Sequence, residues 1–286
     1  MLDEELEKIE INLLLEAMVQ RYGYDFRNYT PDSIRRRATS FRQKLGYTSI
    51  ADMIPHVLQD PAFFQQLQQY FSVGVTEMFR DPFVYFSIRK NVAPILRTYP
   101  SLRLWVAGCA TGEEAYSLAI LLKEELSVRT TIFATDINDQ SINRGREGIY
   151  KEDEARLFTS NYQAAGGIRT FSNYYQAGYD AVVMSQELKN RITFAKHNLT
   201  TDGAFGDMHL IMCRNVLIYF DKHLQGRVLD LFEKSLVYGG YLCLGTKESL
   251  QFSDVAEYFD VVDEDARIYR KRRYVEPPIF KENELQ

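Results

Sequence analysis

LRLWVAGCATGEE, residues 102–114, decides the fold. Its apolar start has the length of a buried strand and runs into Gly108. After Gly112, Ala115, Leu118, Ala119, Leu122 and Leu126 recur at helical spacing. Strand, glycine-bearing turn and helix in that order open the first crossover of a doubly wound α/β sheet, and a nucleotide-like ligand sits at such a turn. Gly108 and Gly112 carry no Cβ, so backbone and ligand can approach closely.

Glu113 and Glu114 stand at the start of that helix, where a dinucleotide fold would hold its pyrophosphate. Two carboxylates repel a third anion. The full G-x-G-x-x-G fingerprint is also missing. The turn therefore suits a cofactor that is positive at this end, and S-adenosylmethionine carries a sulfonium and an α-ammonium group but no phosphate. The plainer reading is that the acids complement the helix dipole.

At 286 residues, 45% hydrophobic and 26% charged, the chain has the composition of a globular protein of one or two domains. The start, MLDEELEKIE, is acidic, and no apolar run approaches the ~18 residues of a membrane span, so no signal peptide and no membrane insertion are expected and a cytoplasmic location is. Cys109, Cys213 and Cys243 lack C-x-x-C spacing and two lie in apolar runs, which points to reduced thiols. The four histidines form no ligand-spaced pair, and no metal is assigned. A net charge of −5 disfavours general nucleic-acid affinity.

Residues 1–72 read as helices: Leu6 to Val19 is amphipathic, Pro31-Asp32 opens a segment that Gly46 stops, and Pro55 and Pro61 punctuate shorter pieces. Arg21, Arg27, Arg35, Arg36, Arg37, Arg42 and Lys44 make part of it basic, with Asp25 and Asp32 as nearby acids in sequence. This is either a solvated helix face or a docking surface for an acidic partner. SVGVTEMFR, residues 72–80, reads as a linker, and Asp81-Pro82 as a helix N-cap and first turn. Thr76 and Arg80 then lie on a loop able to reach across the strand ends; the alternative for Arg80 is a surface pair with Glu77 or Asp81.

Thr130 to Thr135 reads as a second strand ending at Asp136, an acid placed to accept hydrogen bonds from cofactor ribose hydroxyls. Its other possible role, capping the following helix, suits Asp139 equally. From Lys151 to Asn190 the rhythm breaks: an acidic helical piece is followed by Thr170 to Tyr175, Ala181 to Ser185 and, with Arg191 to Ala195, a small antiparallel meander. The large sheet resumes with Ile192 to Lys196 and Met208 to Cys213. Asp221 caps a helix to about Val237, Gly239-Gly240 turns, Tyr241 to Leu244 is a strand, and Phe259 to Val262 pairs with Arg267 to Arg270. Residues 274–286 read as a tail. Glu114, Asp136, Asn198 and Arg214-Asn215 all fall at strand ends, where ligands of such sheets bind.

VTEMFRDP (75–82), AGCATGEEAYSLA (107–119), FATDIN (133–138), HNL (197–199) and MCRNVLIYFD (212–221), in that order, resemble the CheR-type chemotaxis receptor methyltransferases over about residues 5–272. The resemblance implies an α/β fold: a seven-stranded Rossmann-like methyltransferase sheet (73–273) with an N-terminal all-helical, receptor-docking domain (1–72) and a small inserted antiparallel β-subdomain (about 168–190). It implies S-adenosylmethionine as cofactor, S-adenosylhomocysteine as product, and the cytoplasmic domain of methyl-accepting chemoreceptors as partner; a monomer is the default expectation for the oligomeric state. By the resemblance Thr76, Arg80, Glu114, Asp136, Asn198, Leu199, Arg214 and Asn215 fall on cofactor positions, to which the turn after the first strand adds Gly108; Arg80 and Tyr219 match residues proposed to orient the substrate carboxylate. Gly74, Met78 and Ala115 depart from common Asn, Phe and Pro.

Such an enzyme needs no general base, because a glutamate with a pKa of ~4.3 is already a carboxylate at neutral pH. The competing readings are a methyltransferase for another substrate, disfavoured by Arg214-Asn215-Val216-Leu217 where amino-group methylases use Asn or Asp before Pro-Pro-aromatic, and a cofactor-binding scaffold without turnover.

Overall fold

The computed structural model describes residues 2–71, 76–251 and 253–272. Gly74 and the 274–286 tail lie outside the described residues, as do residues 72–75 of the junction read as a linker.

The chain begins with helices α1 (Leu2–Tyr22), α2 (Pro31–Leu45), α3 (Ile54–Gln59) and α4 (Pro61–Phe71). Gly46 ends α2 in a left-handed turn at φ +75°, where its N–H reaches back to the carbonyls of Arg42 and Gln43. Ile11, Leu14, Leu15, Met18, Ile34, Phe41, Phe64 and Phe71 bury their side chains together, so this region has a core of its own. Part of the basic segment does not stand clear of acids: Arg35 of α2 pairs with Glu7 of α1 at 2.8 Å, and Arg27, ahead of α2, pairs with Glu16 of α1 and with Asp25. Asp25 was expected from sequence, whereas sequence distance hid Glu7 and Glu16, which belong to α1.

Helices α5 (Pro82–Ser87) and α6 (Ala93–Leu96) lead into β1 (Ser101–Ala107), α7 (Glu113–Glu125), β2 (Arg129–Asp136) and α8 (Asp139–Glu147). Asp81 and Asp139 were expected as caps. Asn138 caps α8 instead, accepting the N–H groups of Gln140 and Ser141, and the Asp81 carboxylate makes no cap bond at α5. There follow β3 (Ile149–Lys151), α9 (Glu152–Ala164), β4 (Tyr175–Ala177), β5 (Ala181–Met184), α10 (Gln186–Lys189), β6 (Ile192–Lys196), β7 (Met208–Cys213), α11 (Lys222–Ser235), β8 (Leu236–Leu244), β9 (Phe259–Asp263) and β10 (Ile268–Lys271).

Seven strands form one sheet in the order β6-β2-β1-β7-β8-β10-β9, parallel from β6 to β8 and antiparallel through β10 and β9. Side chains alternate across it, as strand geometry requires. Leu104 and Val106 pack on one face beneath α7, while Trp105 and Ala107 pack on the other with Val228 and Phe232 of α11. Strand order reverses between β1 and β7, which opens the ligand crevice beyond their carboxyl ends.

Three details differ from the sequence reading. Residues 192–196 pair with β2, in parallel register Ile132↔Ile192, and not with the small sheet. That sheet is completed by β3, a three-residue strand too short to show alternation, in the order β3-β5-β4; Phe171–Tyr174 ahead of β4 is a 3-10 turn. Gly239-Gly240 makes no chain reversal but lies inside β8, where the pairing with β7 shifts register and Gly239 takes φ +79°.

Candidate functional site

One cavity lies over the ends of β1, β2, β6 and β7, and Thr76, Arg80, Gly108, Glu114, Asp136, Asn198, Leu199, Arg214, Asn215 and Tyr219 all line it. Parallel strands that stop at the same edge of the sheet bring Gly108, Asp136, Asn198, Arg214 and Asn215 together, while Thr76 and Arg80 reach in from the loop before α5, Glu114 from α7 and Tyr219 from a 3-10 turn.

The turn after β1 is tied to β2. The amides of Gly108 and Cys109 donate to the Thr135 carbonyl, and that of Ala110 donates to Asp136 Oδ2 at 2.9 Å. Asn138 N–H donates to the other oxygen, Oδ1, at 2.9 Å. Asp136 is thus aimed by two backbone donors; burial raises its pKa and these bonds oppose the rise. Gly108 has φ +75°, and a Cβ there would stand 2.5 Å from Val216 Cγ2, so the glycine admits the loop after β7. Gly112 has another role than the one expected: its open side faces Phe194 and Gly145 of the protein.

Glu113 and Glu114 part company. Glu113 turns to the Thr111 hydroxyl at 2.8 Å, and burial pushes its carboxyl up to about 7. Glu114, 8% exposed, accepts from Arg214 Nη1 at 3.0 Å and from the Tyr85 hydroxyl at 3.5 Å. Arg214 donates a second bond from Nη2 to Asp81 Oδ2 at 2.7 Å. Burial works against the Arg214 cation, but Glu114 and its other anionic neighbours outweigh it and hold the pKa above the ordinary value. The electrostatic reading of two free carboxylates at the helix start is therefore corrected: one is turned away and the other is paired. Asp136 and Glu114 still give the wall two acidic oxygen pairs, next to a cavity that also carries guanidinium groups.

Arg80 stands between Phe79 and Asp81, both at φ +54°, a conformation costly for non-glycine residues. This kink is pinned by the Phe79 N–H on Ser117 Oγ at 2.8 Å, by Asn161 Nδ2 on the Met78 carbonyl at 3.0 Å, and by the Asp81–Arg214 pair. Asn215, also left-handed at φ +60°, is fixed by Glu248. The Glu248 carboxylate, 5% exposed, accepts the amides of Asn215 (3.1 Å) and Gly245 (2.6 Å) on Oε2, and those of Val216 (2.8 Å) and Ile218 (3.3 Å) on Oε1. On the β6 side, Asn198 Oδ1 accepts from the Thr200 amide and hydroxyl, closing the turn that carries buried Leu199.

The reading from sequence missed Tyr29, Arg37 and Phe71, which line the same cavity from the helical region, and Glu248 and Asp81, which brace it. Arg37 was grouped with the exposed basic face of α2, but it is only 6% exposed. Helical spacing held the signal: Ser33, Ile34, Arg37, Ala38 and Phe41 form the inward stripe. Among the described residues, no cluster of His, Cys, Asp and Glu is placed to hold a metal, and no helix is long and apolar enough to cross a membrane.

A doubly wound sheet of this order, with a glycine turn after its first strand and an acid ending its second, defines an S-adenosylmethionine-dependent methyltransferase. Residues 74–268 match the CheR methyltransferase SAM binding domain, and residues 9–72 the CheR methyltransferase all-alpha domain. The chain belongs to the CheR methyltransferase family. It is 47% identical to Cher3 of Pseudomonas putida over 95% of this chain and 100% of that one. It is 29% identical to the chemotaxis protein methyltransferase of Listeria innocua, over 80% of this chain and 85% of the relative. Identity is also 29% with the chemotaxis protein methyltransferase of Escherichia coli K12, covering 82% of each.

Proposed function

We propose that this chain methylates glutamate side chains in the cytoplasmic domain of bacterial chemoreceptors, forming glutamate methyl esters, and that it works in the cytoplasm as a monomer without acting on nucleic acid. The observation that carries this reading is the meeting of Arg80 and Tyr219, the pair expected to orient a carboxylate, with Glu114, Asp136, Asn198 and Arg214 on one cavity.

When bound, S-adenosylmethionine supplies an electrophilic methyl group. Asp136, at the end of β2, would hold the cofactor's ribose hydroxyls, and Thr76, Gly108, Glu114, Asn198 and Arg214 would line the rest of its site. The substrate carboxylate is anionic at neutral pH and attacks without a base. Arg80 offers it a planar fork and Tyr219 a hydroxyl, so the work of the site is alignment and exclusion of water, and alignment can supply ~7 to 11 kcal/mol. Arg80 has to orient the carboxylate without fully neutralising it, since a tight ion pair quietens the nucleophile. The unit boundaries 1–72, 73–273 and 274–286 belong to the same proposal, with the first unit docking on the receptor.

Incubation with methyl-labelled S-adenosylmethionine and receptor-containing membranes tests it. Label released as methanol by mild base is expected. Base-stable label would show another acceptor, and cofactor binding without label, on membranes that a known active enzyme does modify, would leave a scaffold. Arg80→Ala is expected to lower kcat about 100-fold or more.

A further inference from the structure

We infer that Arg37 is a positioning residue for methyl transfer, holding the Tyr219 ring so that its hydroxyl meets the substrate carboxylate. A buried cation needs compensation. Among the described residues Arg37 forms no ion pair: Nη1 donates to the Phe71 carbonyl, and Nη2 is sealed from solvent with no hydrogen-bond partner. What lies against the guanidinium is the Tyr219 ring, whose centroid is 4.7 Å from Cζ. The electron-rich face of a tyrosine attracts a cation at this distance.

The backbone of the same residue is gripped by the loop ahead of α2. Thr30 N–H donates to the Tyr219 carbonyl at 2.8 Å, Asp221 N–H donates to the Asn28 carbonyl at 2.9 Å, and Tyr29 bridges Phe220. The helical region therefore holds Tyr219 by chain and by ring. An error of about 1 Å in placing a reacting group can cost on the order of 100-fold in rate.

The test combines Arg37→Met, Arg37→Lys and Tyr219→Phe, singly and with Arg37→Met and Tyr219→Phe together. Assays use methyl-labelled S-adenosylmethionine and receptor-containing membranes, beside titrations of S-adenosylhomocysteine binding. Protein labelled with 13C in its tyrosine rings supplies a spectrum in which Tyr219→Phe assigns the Tyr219 signal. Arg37→Met is expected to lower kcat about 10- to 100-fold, with the membrane KM and S-adenosylhomocysteine affinity within about threefold. It should also shift the Tyr219 ring signal, and add less than about twofold to the loss in Tyr219→Phe. Arg37→Lys keeps a cation over the ring and should retain about a third of kcat or more, with a near-native ring signal.

An unmoved ring signal, losses that multiply in the double variant, or an effect confined to KM overturns the inference. So does a folded Arg37→Lys protein that loses both rate and ring signal, which keeps the question decidable if Arg37→Met fails to fold. The kinetic arm rests on the glutamate-methylating reading; the ring signal does not, so wild-type protein that labels no receptor refutes that reading alone.

Discussion

Two buried arginines line the same cavity from different regions of the molecule, each leaving one nitrogen without a hydrogen-bond partner among the described residues, and their charges are met by different means. Arg214, at the end of β7, shares its fork between Glu114 and Asp81. Arg37, on α2, has a backbone carbonyl and an aromatic ring. The strand-end wall is tied by ion pairs that join the α5 approach, α7 and β7, whereas the helical wall rests on a carbonyl and the face of a ring.

Replacing each arginine by Met is the strongest way to break the comparison. Arg214→Met strands the buried Glu114 carboxylate without its cation and is expected to cost roughly 3 to 5 kcal/mol, a fall in Tm of about 6 to 15 °C. Arg37→Met leaves no acid unpaired and should cost roughly 1 to 2 kcal/mol. Equal losses in thermal unfolding would show that the two walls are alike.

Glu248→Gln sharpens the picture of the strand-end wall. The isosteric amide turns one acceptor oxygen into a donor facing two backbone N–H groups, so the Asn215–Ile218 loop must shift. A loss of roughly 2 to 3 kcal/mol and weaker S-adenosylhomocysteine binding by calorimetry are expected. Unchanged binding would separate the loop from the cofactor.

An effect visible only as pH dependence concerns Glu113, one residue before Glu114 but outside the paired unit. Its folded pKa of about 7 lies above the unfolded value near 4.5. The folded state therefore binds the proton more tightly, and stability falls as pH rises from about 4.5 to about 7. Glu113→Gln should remove this decline, giving a gain of at most roughly 2 to 3 kcal/mol at pH 8 relative to pH 5 when wild type and variant are compared by denaturant unfolding. Identical pH profiles would place Glu113 in a more solvated setting.

Of the cavity residues named from sequence, Gly108, Glu114, Asp136, Asn198, Arg214 and Asn215 sit at or just beyond strand ends, where local pattern is informative, whereas Leu199 and Tyr219 came only through the family resemblance. Leu102 to Ala107 read as a buried strand because β1 is covered on both faces. The errors lie elsewhere. Asn138, and neither Asp136 nor Asp139, became the cap of α8 because Asp136 was already committed to the Ala110 amide, a bond across 26 positions. The strand Ile149–Lys151 was unreadable because three residues carry no period.

Sequence alone determined the crossover, the sequence of strands and helices of the large sheet, and the acidic and polar strand ends, since period, glycine placement and motif spacing are local quantities. Tertiary structure alone decided that Arg214 joins Asp81 across 133 positions, that Glu248 holds the loop after β7, and that Arg37 turns inward onto Tyr219. A charged side chain has the same formula on a solvated face as in a sealed one. Only the elements folded around it determine its partner and the cost of losing it.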